Sequence, residues 1–443
     1  MGKFFGTDGI RGKAEMFTGD FLERIVAGLE VGGKRVLIGG DTRESTARIL
    51  ERLEQSLFNH GAKEVGNLGV FPTPGINYAM FALVYDFAID VTASHNPYTD
   101  NGIKIFEYSD AGGVKLTSER CEKIEKELES DSPLMVEFSK EKTEFFDERQ
   151  RGFENYTRHL QEYIGETKFE DMKIILDCAN GATGVVGGEV FRKLGAEVEV
   201  INGDTEFGRK INDGVGSTHI EGLVEAVKNS GVEFGAAFDG DGDRCILVDK
   251  NGEIVDGDEV IAIVADYFKL DKVVGTVMAN QGLLNWGREK GVEVITADVG
   301  DQNVMNEMKE RGAKVGGEQS GHVILPGEAM GDGMLTTLMV AKIMKETGRL
   351  LSELKKTMKK LPQVMKNIPA GRAEKEKFKT EETVESLIEE FSKRLESLNG
   401  RVLVRPSGTE ELIRITVWGE DQGEIEKIAE ELGEKLIEEL KND

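Results

Sequence analysis

Three aspartates alternate with glycines in FDGDGDRCILVD, residues 238–249. In an extended loop alternate side chains share a face, so Asp239, Asp241 and Asp243 converge, and Gly240 and Gly242 between them permit tight bending. Three hard oxygen donors without His or Cys suit Mg²⁺ or a similar cation. An EF-hand would carry glycine at its sixth position and glutamate at its twelfth, where this chain has Arg244 and Lys250. The plainer reading is an acidic turn capping a strand, but three close carboxylates repel one another unless a cation joins them. Arg244, directly after the triad, suits a phosphate, which a guanidinium binds bidentately.

A second cluster lies in DVTASHNPYTDNGIK, residues 90–104, where an apolar run ends in Ser94, His95, Asn96 and Pro97, with Lys104 following inside GIKIF. Ser94 is either a turn former bonded to its own backbone or a reactive hydroxyl. The Gly-x-Ser-x-Gly of a hydrolase elbow is absent. A phosphorylated serine would carry close to two negative charges, which a cation held at the aspartates would neutralise. In KVGGEQSGHVILPG (314–327) Glu318, Ser320 and His322 can exchange hydrogen bonds with a polyol, or the loop is a glycine-rich turn with a core histidine. VRPSGTEELIRI (404–415) gathers Arg405, Ser407, Gly408, Thr409 and Arg414 in one turn. Free amides, hydroxyls and guanidinium groups there suit a phosphate dianion; the alternative is a plain hairpin. FFGTDGIRG (4–12) offers Asp8 and Arg11 among glycines, and alone reads as a loop. GLEVGGKR (28–35) has P-loop spacing but ends in Arg35 and precedes its strand, so it is set aside. A phosphate-carrying serine, a metal loop and a separate phosphate clamp describe one reaction type, the shift of a phosphoryl group between two hydroxyls of one sugar.

These loops need elements to hold them. KRVLIGGDTR (34–43), MKIILDCANGATG (172–184) and DKVVGTVMANQG (271–282) are short apolar runs ending in a turn and followed by helical patterns. Such alternation indicates parallel sheets covered on both faces, in three related α/β units. Segment 342–379 is locally basic, which marks a boundary or linker, with either an anion site or a solvated helix face. Beyond it EETVESLIEEFSKRLES (381–397) and EIEKIAEELGEKLIEELK (424–441) have helical spacing around two strands, giving a small α+β unit.

The chain has 443 residues, a net charge of −26, 39% hydrophobic and 31% charged residues. That length suggests about three domains, and that charge argues against nucleic acid or an anionic membrane as partner. An anionic substrate must therefore meet a local cluster of arginine and lysine. Cys121, Cys178 and Cys245 are scattered and odd in number, which indicates neither disulfides nor zinc and suits a reducing cytoplasm. No signal-peptide core or membrane-length apolar run is expected, and Gly6 stands where myristoylation wants Ser or Thr.

Taken together, TASHNP, DGDGDR, GEQSGH and RPSGTE resemble, in order, the phosphoserine, metal, sugar and phosphate loops of the α-D-phosphohexomutase superfamily, over essentially the whole chain. FFGTDGIRG, NPYTDNGIK and the glutamine of GGEQSGH look most like its amino-sugar branch. The resemblance implies four domains around a central cleft, three of related mixed α/β build and a smaller α+β one, expected at 1–150, 151–254, 255–362 and 363–443. It implies Ser94 as the phosphoserine, and Asp239, Asp241 and Asp243 as Mg²⁺ ligands with a Ser94 phosphate oxygen. Arg11, His95, Lys104 and Arg244 fall around the transferring phosphoryl group, Glu318 and Ser320 at the sugar hydroxyls, and Arg405, Ser407, Gly408, Thr409 and Arg414 at the other phosphate. The partners implied are a phosphorylated hexose and its bisphosphate. Glu411 stands where the superfamily usually has proline, an extra carboxylate beside the clamp unless its side chain points away.

Overall fold

Each of the four motifs occupies the connection between two antiparallel strands. In the computed structural model, which describes residues 2–6, 8–110, 112–132, 143–407 and 410–441, four sheets follow one another along the chain. In the first, Arg35–Gly40 runs parallel to Glu64–Val70 and Phe87–Val91, and Phe87–Val91 pairs antiparallel with Asp100–Ser109. The register sets Asp90 opposite Lys104 and leaves residues 92–99 as the turn. In the second sheet Phe234–Phe238 pairs antiparallel with Cys245–Asp249, Phe238 opposite Cys245, so residues 239–244 close a hairpin. In the third, Gly316–Gly317 pairs with Val323–Ile324 around residues 318–322. In the fourth, Arg401–Pro406 pairs with Leu412–Trp418 and sets Arg405 opposite Arg414.

The first three sheets are therefore mixed where uninterrupted apolar strands suggested parallel ones, and the fourth is wholly antiparallel. The apolar cores are parallel pairs, such as Lys173–Asp177 with Phe234–Phe238. Each functional loop needs a tight reversal, which only an antiparallel neighbour supplies. The expected breaks at 150/151 and 254/255 fall inside the helix Arg149–Ile164 and the strand Ile254–Val255, while the strand Gln363–Pro369 begins at 363.

One apolar core joins the first three units, with Phe71, Tyr156, Leu176, Phe238, Val323 and Leu338 buried together. The last unit has its own, built on Ile368, Phe391, Ile415 and Leu432. The basic segment before it is a solvated face stitched to acidic neighbours. Lys355 bonds Glu253 at 3.0 Å, Lys359 bonds Glu420 at 2.9 Å and Lys360 bonds Asp256 at 2.6 Å. Among the described residues no helix is long and apolar enough to cross a membrane.

Buried Asp332 joins two elements of the shared core. It caps the helix Gly333–Thr347 by accepting the Leu335 N–H at 2.8 Å and takes the Tyr156 hydroxyl at 2.8 Å. Tyr156→Phe leaves that carboxylate short of a donor in a buried place. We expect a loss of about 1–2 kcal/mol, read as a lower urea midpoint at unchanged slope.

Candidate active site

Ser94 sits at the tip of the first turn with φ 51°, in the left-handed region that costs a non-glycine residue about 1–3 kcal/mol. The surroundings hold it there. Its N–H donates to Thr92 Oγ1 at 2.8 Å, and its carbonyl accepts from Arg43 Nη2 at 2.9 Å and Asn212 Nδ2 at 2.8 Å. Thr92 in turn donates to Asp41 Oδ2 at 2.7 Å, and Asp41 lies 3.3 Å from Arg43 Nε in a fully buried ion pair. The result aims Ser94 Oγ at Asp239 Oδ2, 2.6 Å away, with His95 Nδ1 at 3.3 Å.

The acidic hairpin is gripped by main chain from three units. Thr73 donates its N–H to the carbonyl of Asp241 at 2.9 Å, Ala182 to that of Gly240 at 2.8 Å and Gly333 to that of Gly242 at 3.0 Å. Buried carboxylate oxygens of Asp239, Asp241 and Asp243 all lie within 4.8 Å of one another. Lys104 Nζ sits 2.8 Å from Asp241, 2.9 Å from Asp243 and 3.1 Å from Asp8. Burial alone would lower the Lys104 pKa, but Asp241, Asp243 and Asp8 outweigh it and hold the group well above the usual lysine range. Burial, then the Asp241 and Asp243 charges, push Asp239 well up, whereas for Asp243 burial is outweighed by Lys104, His322 and Arg244, which hold it well down. Asp241 Oδ1 and Asp243 Oδ1 are buried without a hydrogen-bond donor among the described residues. Two unspent hard oxygens beside a third carboxylate fit a divalent cation of the Mg²⁺ kind.

Positive groups ring this centre. Arg244 Nη1 lies 3.1 Å from His95 Nδ1, and Arg11 Nη2 bonds Asp8 at 2.5 Å. A guanidinium only donates, so His95 Nδ1 is the acceptor nitrogen, and it faces Ser94. Burial, Arg244 and Arg11 lower the His95 pKa to about 4 and keep the ring neutral near pH 7. Lys115 links Asp8 at 2.6 Å to Asp301 at 2.5 Å. Beside them lies a cavity of about 670 Å³, whose walls include Asp8, Lys104, Lys115, Gln302 and Asn303.

In the sugar-loop motif Glu318 Oε1 accepts the Gly300 N–H at 3.0 Å, and Ser320 is exposed beside it with Oγ 3.5 Å from Glu318. His322 departs from the expected polyol contact. It is 2% exposed, its Nε2 accepts from Gly331 N at 3.1 Å and its Nδ1 faces Asp243 at 3.7 Å. The loop packs it inward beneath its own turn, where it supports the acidic hairpin. In the last motif Arg405 and Arg414 face each other across the strand pair. Burial and then Arg414 lower the Arg405 pKa, while Arg414 pairs with Glu410. Ser407 N bonds the Leu412 carbonyl at 2.9 Å, and Lys375 Nζ reaches the Ser407 carbonyl at 2.7 Å. Gly408 and Thr409 lie outside the described residues. Glu411 is exposed and meets Ala370 N through its carbonyl.

Sequence reading passed over Arg43, Asn212, Thr73 and Lys375. Thr73 Oγ1 lies 2.9 Å from Asp241 and 2.5 Å from buried Asp90. Arg43 carried a signal, an arginine closing the apolar strand of GGDTR; the other three carried none.

Four family models match in order: Phosphoglucomutase/phosphomannomutase alpha/beta/alpha domains I (2–135), II (154–252) and III (256–361), and the C-terminal domain (346–435). Phosphoglucosamine mutase of Geobacillus kaustophilus is 43% identical over 94% of both chains, and that of Brevibacillus brevis is 40% identical over 99% of this chain and 100% of its own. Aspergillus fumigatus N-acetylphosphoglucosamine mutase, in complex with GlcNAc-6P and magnesium, has the same fold at TM-score 0.71 and 17% identity, covering 99% of this chain and 96% of its own.

A Cβ on Gly240 would lie 2.6 Å from the Ser94 carbonyl oxygen. Gly240→Ala must push the acidic hairpin away from Ser94. Displacements of this kind cost about 10²-fold in rate, so we expect turnover to fall by that order with near-parental circular dichroism.

Proposed function

Because the chain belongs to the α-D-phosphohexomutase superfamily, through its phosphoglucomutase/phosphomannomutase family, we propose that it interconverts glucosamine 6-phosphate and glucosamine 1-phosphate through phospho-Ser94 and a 1,6-bisphosphate. The observation that carries this reading is the 2.6 Å approach of a strained, buried Ser94 hydroxyl to the aspartate cluster. The amino-sugar choice is supported by relatives at 43% and 40% identity over nearly the whole chain.

In the forward direction the C1 hydroxyl oxygen of glucosamine 6-phosphate bonds to the phosphorus on Ser94 Oγ, and the P–Oγ bond breaks. The proton of the C1 hydroxyl passes to His95 Nδ1 and on to Ser94 Oγ, leaving the 1,6-bisphosphate and a free serine. After the bisphosphate turns over in the cleft, Ser94 Oγ bonds to the 6-phosphorus and the P–O6 bond breaks. The Oγ proton passes through His95 to O6, so glucosamine 1-phosphate leaves and phospho-Ser94 is restored. His95 suits this task because it is neutral and its acceptor nitrogen faces the serine. Lys104, gripped by three carboxylates, serves as fixed positive charge, and Arg11 and Arg244 orient the phosphoryl group. Mg²⁺ at Asp239, Asp241, Asp243 and a phosphoryl oxygen of Ser94 would offset the charge of the transferring group. Glu318 and Ser320 would hold sugar hydroxyls. Arg405, Ser407, Gly408, Thr409 and Arg414 would hold the resting phosphate, whichever carbon bears it, because charge recognition ignores that difference. Lys375, bonded to the Ser407 carbonyl, would add its charge to that clamp. Three free cysteines fit a reducing cytoplasm.

Ser94→Ala should abolish turnover in a coupled assay with Mg²⁺, and the intact mass of the parent should include one phosphate that this variant lacks. Near-normal rates in Ser94→Ala would sink the scheme. Chelation of the metal should suppress activity, restored by Mg²⁺. Faster turnover of mannose or glucose phosphates would reassign the substrate, and steady release of inorganic phosphate would mark a phosphatase.

A further inference from the structure

Gln319 stands between Glu318 and Ser320, and its side chain is held by two polar neighbours. Its Nε2 donates to Asp256 Oδ2 at 3.1 Å and to Gln363 Oε1 at 3.2 Å. Asp256 can only accept, so the amide nitrogen of Gln319 must face it, and Gln363 then presents its oxygen. Asp256 is itself committed. Its Oδ1 caps the helix Gly257–Phe268 through the N–H groups of Asp258 and Glu259, and its Oδ2 also takes Lys360 Nζ at 2.6 Å. The main chain is as closely fitted. Gly257 N donates to the Gln319 carbonyl at 3.2 Å, and a Cβ at 257 would meet the Glu318 carbonyl at 2.0 Å, so the sugar loop rests directly on this helix start.

Gln363 is the first residue of the first strand of the last unit. Two residues earlier Leu361 is pinned to the third unit, its N–H and carbonyl meeting Asn280 Oδ1 and Nδ2 at 2.9 Å. Beyond Gln363 the chain enters a unit with its own core. Residues 362 and 363 thus carry the chain from the third unit into the last, and the Gln319 amide is bonded to that point.

We infer that Gln319 is a positioning residue that couples the sugar loop to the orientation of the last unit, keeping Glu318 and Ser320 in register with Arg405 and Arg414. The inference rests on the mutase reading above. Its consequence concerns the intermediate. The clamp must let go of one phosphate and take the other while the bisphosphate stays in the cleft, and a sugar loop tied to the clamp's hinge keeps a grip during that exchange.

The test compares Gln319→Met, Gln363→Met and the double variant with the full-length parent. The measurements are kcat and KM for glucosamine 6-phosphate, and the glucosamine 1,6-bisphosphate set free per turnover, followed by quench and phosphorus NMR. Each single variant should lower kcat and raise bisphosphate escape by at least about fivefold, with KM within about twofold. The double variant should be no worse than the weaker single, because both remove one shared bond. Unchanged bisphosphate escape, or effects that add, overturns the coupling. A rise in KM alone that differs between glucosamine and glucose phosphates would make Gln319 a direct sugar contact and also overturn it. A parent that transfers no phosphoryl group to glucosamine 6-phosphate would instead defeat the functional reading itself, so the two failures are distinguishable.

Discussion

The whole molecule answers to the mutual repulsion of carboxylates crowded beside one serine. Asp41, Asp90, Asp239, Asp241 and Asp243 are each at most 3% exposed. Two like charges at 4 Å repel by about 4 kcal/mol at an effective dielectric of about 20. A few such pairs would cancel the stability of about 5–15 kcal/mol typical of a folded protein. Lys104 and Arg43, equally buried, therefore sit among them as fixed countercharges, with Arg244 and Arg11 at the edge. The same balance leaves two aspartate oxygens unspent and a neutral imidazole beside the serine, which is the electrostatic setting a phosphoryl carrier requires.

Hairpins are how the chain brings those charges together. Loops at the ends of parallel strands lead into helices, but a turn between antiparallel partners projects a few side chains from a rigid base. Four such turns, one per sheet, present Ser94, the aspartates, Glu318 with Ser320, and Arg405 with Arg414. The first three rest on one apolar core and hold each other through main-chain bonds such as Cys245 N to the Gly321 carbonyl. The fourth belongs to a unit with a separate core, anchored by Arg401, whose guanidinium donates to the Val277 and Ala279 carbonyls at 3.0 and 2.6 Å and covers Trp418. A rigid reaction centre joined to a separately cored clamp suits a substrate that must change ends.

Much of this was legible in the chain because the informative residues are local. Alternating Asp and Gly in DGDGDR point to a convergence within five residues, and the aspartate oxygens do converge, through a turn closed by Gly242 N on the Asp239 carbonyl where an extended loop was expected. The apolar strand starts at 35, 173 and 272 are equally local. Arg43 and Asn212 were not legible as partners of Ser94, because their role is to donate to one carbonyl from 51 and 118 residues away. Whether His322 reaches a polyol or packs in the core was not legible, because a single histidine in a glycine-rich loop gives no indication of which side of a hairpin it takes; the fold buries it.

The sequence by itself determined which chemistry was on offer: a hydroxyl, three carboxylates, a polar loop and an arginine-bearing turn, each within a stretch short enough for chain stereochemistry to fix. The tertiary structure alone decided that the hydroxyl and the carboxylates meet, that Ser94 adopts a left-handed backbone, that Lys104 is shared among Asp8, Asp241 and Asp243, and that Gln319 faces Gln363. The physical reason is that burial and charge balance are sums over distant residues. Whether a serine is strained or an ammonium is surrounded depends on what the folded chain packs against it.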